Sequence, residues 1–171
     1  MICPGSIESP FHIGIATPWI DESMAHLADL LGLRFVALPR PPGHHDTPTG
    51  PTKPAPRVVY SAAGPLHLEL LESAQDTVYA PELGVHLHHV GYWVDDLSGA
   101  IADAEQSGWH WEVTMMDDDG RPSTFAYLTR PGQTRIELVD RANRDALMEI
   151  LKGSEEHTLW SRTTEPNKPP R

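Results

Sequence analysis

Apolar and polar positions along the chain alternate between two periods. "FHIGIAT" (11–17) is a β-rich run, and "DESMAHLADLLG" (21–32) follows with Met24, Leu27, Leu30 and Leu31 at helical spacing, which predicts a strand and then a helix. Asp21 is expected to accept hydrogen bonds from the free amides at the helix start, and Gly32 to end the helix in the left-handed conformation. "RFVAL", "RVVYSAA" and "LHLELLE" (66–72) read as three further strands, with the proline-rich stretch 39–56, "PRPPGHHDTPTGPTKPAP", as a loop among them. The first half therefore reads βαβββ.

The second half repeats the order. "HHVGYWV" reads as a strand, "DDLSGAIADAEQSG" as a helix, and "WHWEVTMM", "STFAYLT" and "TRIELVD" as strands, the last two joined at "PGQT". His12-Ile13-Gly14 and His89-Val90-Gly91 are offset by 77, the helix-ending glycines Gly32 and Gly108 by 76, and "LELLE" and "IELVD" by 68. Such matched spacing is the mark of an internal duplication with a longer loop in its first copy. The expected fold class is α+β, with two tandem βαβββ modules. Residues 1–9 form an N-terminal extension, 10–75 the first module with its loop 39–56, and 85–140 the second. In 141–171, "RANRDALMEILKG" (141–153) is a helix and "TTEPNKPPR" a flexible tail. Neither is given a chemical role.

The 171 residues suit one compact domain or two small fused modules, and 39% hydrophobic content is enough for a core. With 13 basic and 24 acidic residues the formal charge is −11, and there is no basic cluster to neutralise phosphates, so nucleic acid and anionic membrane are poor partners and a small molecule is favoured. The single cysteine, Cys3, excludes an internal disulfide framework, and the start "MICPGSIESP" lacks the features of a signal peptide, so a cytoplasmic location is expected. No stretch approaches the roughly 20 apolar residues that cross a bilayer.

Candidate chemistry lies in the histidine-bearing strands. Side chains alternate faces along a strand, which puts Leu87, His89, Gly91 and Trp93 on one face and His88, Val90, Tyr92 and Val94 on the other. His12, Gly14 and Ala16 take the corresponding face in the first copy. Each copy also ends in a strand with a glutamate among apolar neighbours, Glu69 and Glu137, where a carboxylate is costly to bury unless paired or bound to a cation. Two imidazoles and two carboxylates at matched places would form a pseudo-two-fold site for one divalent transition metal, with zinc, nickel, cobalt, manganese and iron(II) all compatible. The plainer alternatives are hydrogen-bonded structural histidines, and salt bridges from Arg57 or Arg135 to the glutamates. His88 is expected to be structural. Trp93 would stack on a substrate or fill the cavity floor. His67 and Arg135, two residues before the glutamates and on their faces, are substrate-binding candidates or structural residues. His44, His45 and Asp46 fit a mobile lid better than a second metal site.

Through the "FHIGIAT", "LHLELLE", "HHVGYWV" and "RIELVD" stretches the chain resembles, over about residues 10 to 140, the vicinal oxygen chelate superfamily of glyoxalases, methylmalonyl-CoA epimerases, ring-cleaving dioxygenases and antibiotic-binding proteins. The resemblance implies a cupped, U-shaped sheet around one divalent metal ion per chain held by His12, Glu69, His89 and Glu137, often completed by homodimerisation. It also implies an isomerase, epimerase or lyase acting on a small carbonyl or hydroxy-carbonyl substrate through a metal-stabilised enediolate-type intermediate, with Glu137 or Glu69 as catalytic base. The chain departs from the epimerases, which usually carry glutamine at the second ligand position and an acid where "TKPAPRVVY" has none, and from the "DPDG"-like turn of glyoxalases, where it reads "TRPGQT". Two alternatives stand beside this: a non-haem iron dioxygenase using His12, His89 and Glu137, and a non-catalytic small-molecule binding protein, which the five tryptophans would suit.

Overall fold

In the computed structural model, which describes residues 8–39, 44–81 and 84–153, one mixed sheet curls into a cup. The first half supplies β1 (His12–Thr17), α1 (Ile20–Leu31), β2 (Phe35–Ala37), β3 (His45–Thr47), β4 (Gly50–Thr52), β5 (Val58–Ser61) and β6 (His67–Glu72). The second supplies β7 (His86–Val94), α2 (Leu97–Gln106), β8 (His110–Met116), β9 (Pro122–Thr129) and β10 (Ile136–Asp140), followed by a short 3-10 turn and α3 (Arg144–Lys152). The strand order is β2-β5-β6-β1-β7-β10-β9-β8-β3-β4. Leaving out β3 and β4, the two halves mirror one another across the antiparallel β1–β7 pair, each with a parallel neighbour, β6 beside β1 and β10 beside β7. This is the paired βαβββ architecture that the duplicated sequence pattern predicts.

The helices cover the convex side. Ile20, Met24 and Leu27 of α1 pack with Ile15, Val59 and Leu70, and Leu97, Ile101 and Ala104 of α2 pack with Ala126, Leu128 and Leu138. Leu30 and Leu31 continue the helical spacing but are 79% and 58% exposed, so they lie outside the packed face of α1. Gly32 closes α1 in the left-handed conformation (φ 67°), its amide bonded to the Ala28 carbonyl, as its position predicts. Asp21 does not cap the helix: the N-cap is Trp19, and the Asp21 carboxylate instead pairs with Arg57 at 2.9 Å. In the second copy Asp96 does cap α2, accepting from the Gly99 amide at 2.9 Å.

From residue 45 to 52 the proline-rich stretch is not a loose loop. These residues form the β3–β4 hairpin, which crosses to the other half of the sheet and pairs with β8 through Asp46 opposite Thr114. The Met116 amide donates to Asp46 Oδ2 at 2.9 Å, so the lid expected from composition is built as a sheet extension. Pro51 sits on β4, at the sheet edge, where a missing N–H leaves no ladder bond broken. The helix at the C-terminal end also joins the cup, with Leu147, Met148, Ile150 and Leu151 packed on the apolar cluster that lines its concave side. The expected flexible tail lies outside the described residues. No described helix is long and apolar enough to cross a membrane.

Candidate metal centre

The central strand pair builds the site. In the β1–β7 register His12 lies opposite Gly91, and Gly14 opposite His89. Each imidazole folds over the other copy's glycine. A Cβ on Gly14 would lie 2.1 Å from Cε1 of His89, and one on Gly91 1.9 Å from Cε1 of His12. The repeated His-x-Gly triplet is therefore an interlock, and it brings the two Nε2 atoms within 2.7 Å.

The parallel neighbours add the acids, Glu69 beside Gly14 and Glu137 beside Gly91. Each carboxylate is nearest the histidine of the opposite half: Glu69 Oε2 lies 2.9 Å from His89 Nε2, and Glu137 Oε2 lies 2.8 Å from His12 Nε2. The remaining cross distances are 3.5 Å (His12–Glu69) and 3.4 Å (His89–Glu137). One atom from each of the four buried side chains falls within 4.8 Å of the other three, and all belong to a single chain. Donors bound about 2.1 Å from a common ion stand roughly 3 to 3.4 Å apart, for octahedral and tetrahedral angles respectively. The cluster is close to that spacing. Glu69 Oε2 and Glu137 Oε2 are buried without a hydrogen-bond partner, which a cation would satisfy, and two carboxylates offset a divalent charge. The donor set thus fits zinc and the other first-row divalent ions.

Neither arginine neutralises these acids. Arg57 is engaged by Asp21 and Glu72, and Arg135 by both oxygens of Glu112 at 2.7 and 3.2 Å. Among these four side chains, burial opposes the His89 charge, but Glu137 and then Glu69 outweigh it and raise the imidazole to about 9. Burial likewise opposes the Glu137 charge, and His89 and then His12 overcome it, holding the carboxyl well below its usual range.

His88 departs from the expected alternation. β1 pairs Gly14 with His89 and Ile15 with Leu87, so His88 is the extra residue of a β-bulge. The bulge turns it inward beside its neighbour, 1% exposed, with its Nδ1 2.8 Å from His89 Nδ1. Burial, then Arg135 and His89, hold its imidazole neutral, lowering it to about 2.

Two tyrosines escaped the sequence reading. Tyr60 lies opposite Glu69, and Tyr127 opposite Glu137. Their offset of 67, one less than that of the glutamates, was the available signal. Burial foremost raises both phenols well above their usual range, with the nearby carboxylates adding to it, so both are hydroxyl donors. Tyr60, Tyr127 and the two glutamates face a cavity of about 730 Å³. Trp93 lines it and stacks on Phe11 (3.9 Å between centroids, 14°), and Leu147 and Ile150 of α3 close one side. His45 of the hairpin also lines it, edge-on to Phe125. Two sequence candidates are engaged elsewhere: His67 Nδ1 bonds the Ser61 carbonyl at 2.7 Å, and Arg135 holds Glu112; neither is among the cavity-lining residues.

Residues 11–127 match the family model described as Glyoxalase/Bleomycin resistance protein/Dioxygenase superfamily. Among solved structures, methylmalonyl-CoA epimerase from Mycobacterium tuberculosis is similar at 18% identity and TM-score 0.60, over 86% of this chain and 97% of that one. The Streptomyces coelicolor methylmalonyl-CoA epimerase aligns at 20% identity and TM-score 0.57, over 80% and 96%. A mutant 4-hydroxymandelate synthase from S. coelicolor aligns at 19% identity and TM-score 0.55, over 79% of this chain and 39% of that one. The family match spans both strands that carry the histidines, the structural likeness shares the fold, and the chain belongs to the glyoxalase/bleomycin resistance/dioxygenase superfamily, the vicinal oxygen chelate group.

Proposed function

We propose that this protein is a divalent-metal-dependent isomerase, epimerase or lyase acting on a small carbonyl or hydroxy-carbonyl compound, with Glu69 or Glu137 as the base. The observation that carries the reading is the complete, buried His12–Glu69–His89–Glu137 set beside an apolar cavity. His12, Glu69, His89 and Glu137 would hold a divalent ion, which would supply Lewis-acid stabilisation of the negative charge that develops on the substrate oxygens when a proton next to a carbonyl is removed, as in an enediolate-type intermediate. The chain's own residues do the rest. A glutamate takes the proton from carbon and becomes a carboxylic acid that can give it back, and since the two carboxylates reach the site from opposite halves of the sheet, abstraction and return can be served from two sides. The Tyr60 and Tyr127 hydroxyls, held protonated, can donate to a substrate oxygen. Phe11, Trp93, Phe125, Val139 and Leu147 exclude water and favour a substrate whose body is apolar, since Arg57 at the cavity wall is already paired with Asp21. Glu69 supports this reading over an iron dioxygenase, because a fourth protein ligand takes a position that oxygen would need. The assembly proposed is a cytoplasmic homodimer with a full ligand set in each chain.

Elemental analysis of the purified protein tests the first half: about one divalent ion per chain is expected, with loss in His89→Ala, and equal metal in both proteins sinks the assignment. Proton NMR of α-hydroxycarbonyl compounds incubated in D2O tests the second. Exchange next to the carbonyl is expected with wild type and not with Glu137→Gln or Glu69→Gln. Oxygen consumption during turnover would replace this reading with the dioxygenase, and tight ligand binding with neither reaction would replace it with the binding protein.

A further inference from the structure

The two halves of the site are not identical. The residue before the ligand histidine is Phe11 in the first copy and His88 in the second. Phe11 stacks on Trp93, whereas the bulge in β7 turns His88 into the layer behind His89. His88 Nε2 lies 3.1 Å from the Val78 carbonyl, an acceptor only, so Nε2 carries the hydrogen. A neutral ring protonated there presents a lone pair at Nδ1, 2.8 Å from His89 Nδ1. His89 must then donate through Nδ1, which leaves its Nε2 to face Glu69, Glu137 and His12. The relay is held firmly. Tyr79 stacks on the His88 ring (5.0 Å, 24°), Tyr127 meets it edge-on (5.1 Å), and Arg135 donates to the His88 carbonyl at 3.3 Å. His12 has no such support, its Nδ1 being buried without a hydrogen-bond partner.

We propose that His88 is a positioning residue of the metal centre: it fixes His89 as the Nδ1–H form with Nε2 directed at the ion, so that of the two imidazoles His89 is preset and His12 adapts. This rests on the metal-binding reading above, and the experiment separates the two.

Zinc affinity is measured by chelator competition for wild type, His88→Phe and His88→Gln, with far-UV circular dichroism as the folding control. His88→Phe installs the first copy's residue and removes the relay. In His88→Gln the side-chain amide can still donate to Val78 and accept from His89. The expected result is a loss of roughly 10- to 100-fold in zinc affinity for the phenylalanine variant, the usual cost of removing such an outer partner, with most of it restored in the glutamine variant. Equal affinity in folded wild type and His88→Phe overturns the proposal. So does a loss in His88→Gln as large as in His88→Phe. Long-range 15N–1H NMR of histidine-labelled wild type loaded with zinc gives a reading that needs no variant: His88 with hydrogen on Nε2 and His89 with hydrogen on Nδ1 are expected, and the opposite form of either ring overturns it. Wild type that takes up no zinc would overturn the metal reading itself, whereas zinc uptake with an inverted His88 would overturn only this inference.

Discussion

Gly14 and Gly91 set how closely the two histidines approach, because each lies beneath the other copy's imidazole. Gly14→Ala and Gly91→Ala are each expected to destabilise the protein by about 1–3 kcal/mol through overpacking and to push the rings apart. Urea denaturation and zinc titration check both effects, and an unchanged zinc affinity in both variants would contradict the interlock. The charges of the cluster give a second expectation. His89 is raised from an ordinary 6.5 to about 9, so in the metal-free protein its contribution to stability is complete below about pH 6.5 and is lost as pH rises through 9. Glu137, held well below its ordinary 4.5, contributes above that value and loses its contribution as pH falls toward its depressed folded value. The urea midpoint of metal-free protein should therefore fall between pH 6.5 and 9.5, and this fall should be smaller in His89→Gln. Zinc displaces the His89 proton, so its affinity should rise with pH over the same interval. The four residues that converge in the candidate centre were legible because a duplication repeats them. His88 was misplaced, since two-residue alternation holds only where a strand pairs without interruption, and the Gly14/Ile15 register shift breaks it.

Among the elements, the β3–β4 hairpin is the one composition conceals. Three-residue strands rich in proline carry no periodic signal, and their partner β8 lies in the other half of the chain. Asp46 fastens the hairpin by accepting from Met116, a bond of about 1 kcal/mol at a partly buried site. In Asp46→Ala, hydrogen exchange at the Met116 amide should accelerate while exchange within β1 and β7 stays near wild type. Exchange accelerated equally throughout the sheet would mean that the hairpin is not an independently opening unit. The helix α3 was visible in the sequence, but its place over the cavity was not. Its apolar stripe of Leu147, Ile150 and Leu151 states that it must pack, and only the cluster of cup residues states where.

Across the whole molecule, the four clustered residues tie the two halves together, since both carboxylate–histidine contacts shorter than 3 Å within the cluster run from one module to the other. An ion binding the folded chain alone stabilises it by about 2.7 kcal/mol when its free concentration is 100 times the dissociation constant. Zinc should therefore raise the thermal midpoint of wild type, EDTA should reverse the rise, and His89→Ala should show little of it. A midpoint indifferent to zinc in wild type would contradict a centre shared between the halves.

The amino-acid pattern was sufficient for the architecture and for naming the four residues that cluster as a candidate metal site, because strand and helix periods act locally and a repeated module carries its side chains at a fixed offset. Pairing between distant strands decided what remained: the inward turn of His88, the commitment of His67 and Arg135 to other partners, the tyrosines opposite the glutamates, and the crossing of the hairpin to β8. Those outcomes depend on register and on which edge is open, quantities set by the energy of the assembled sheet and written in no single segment.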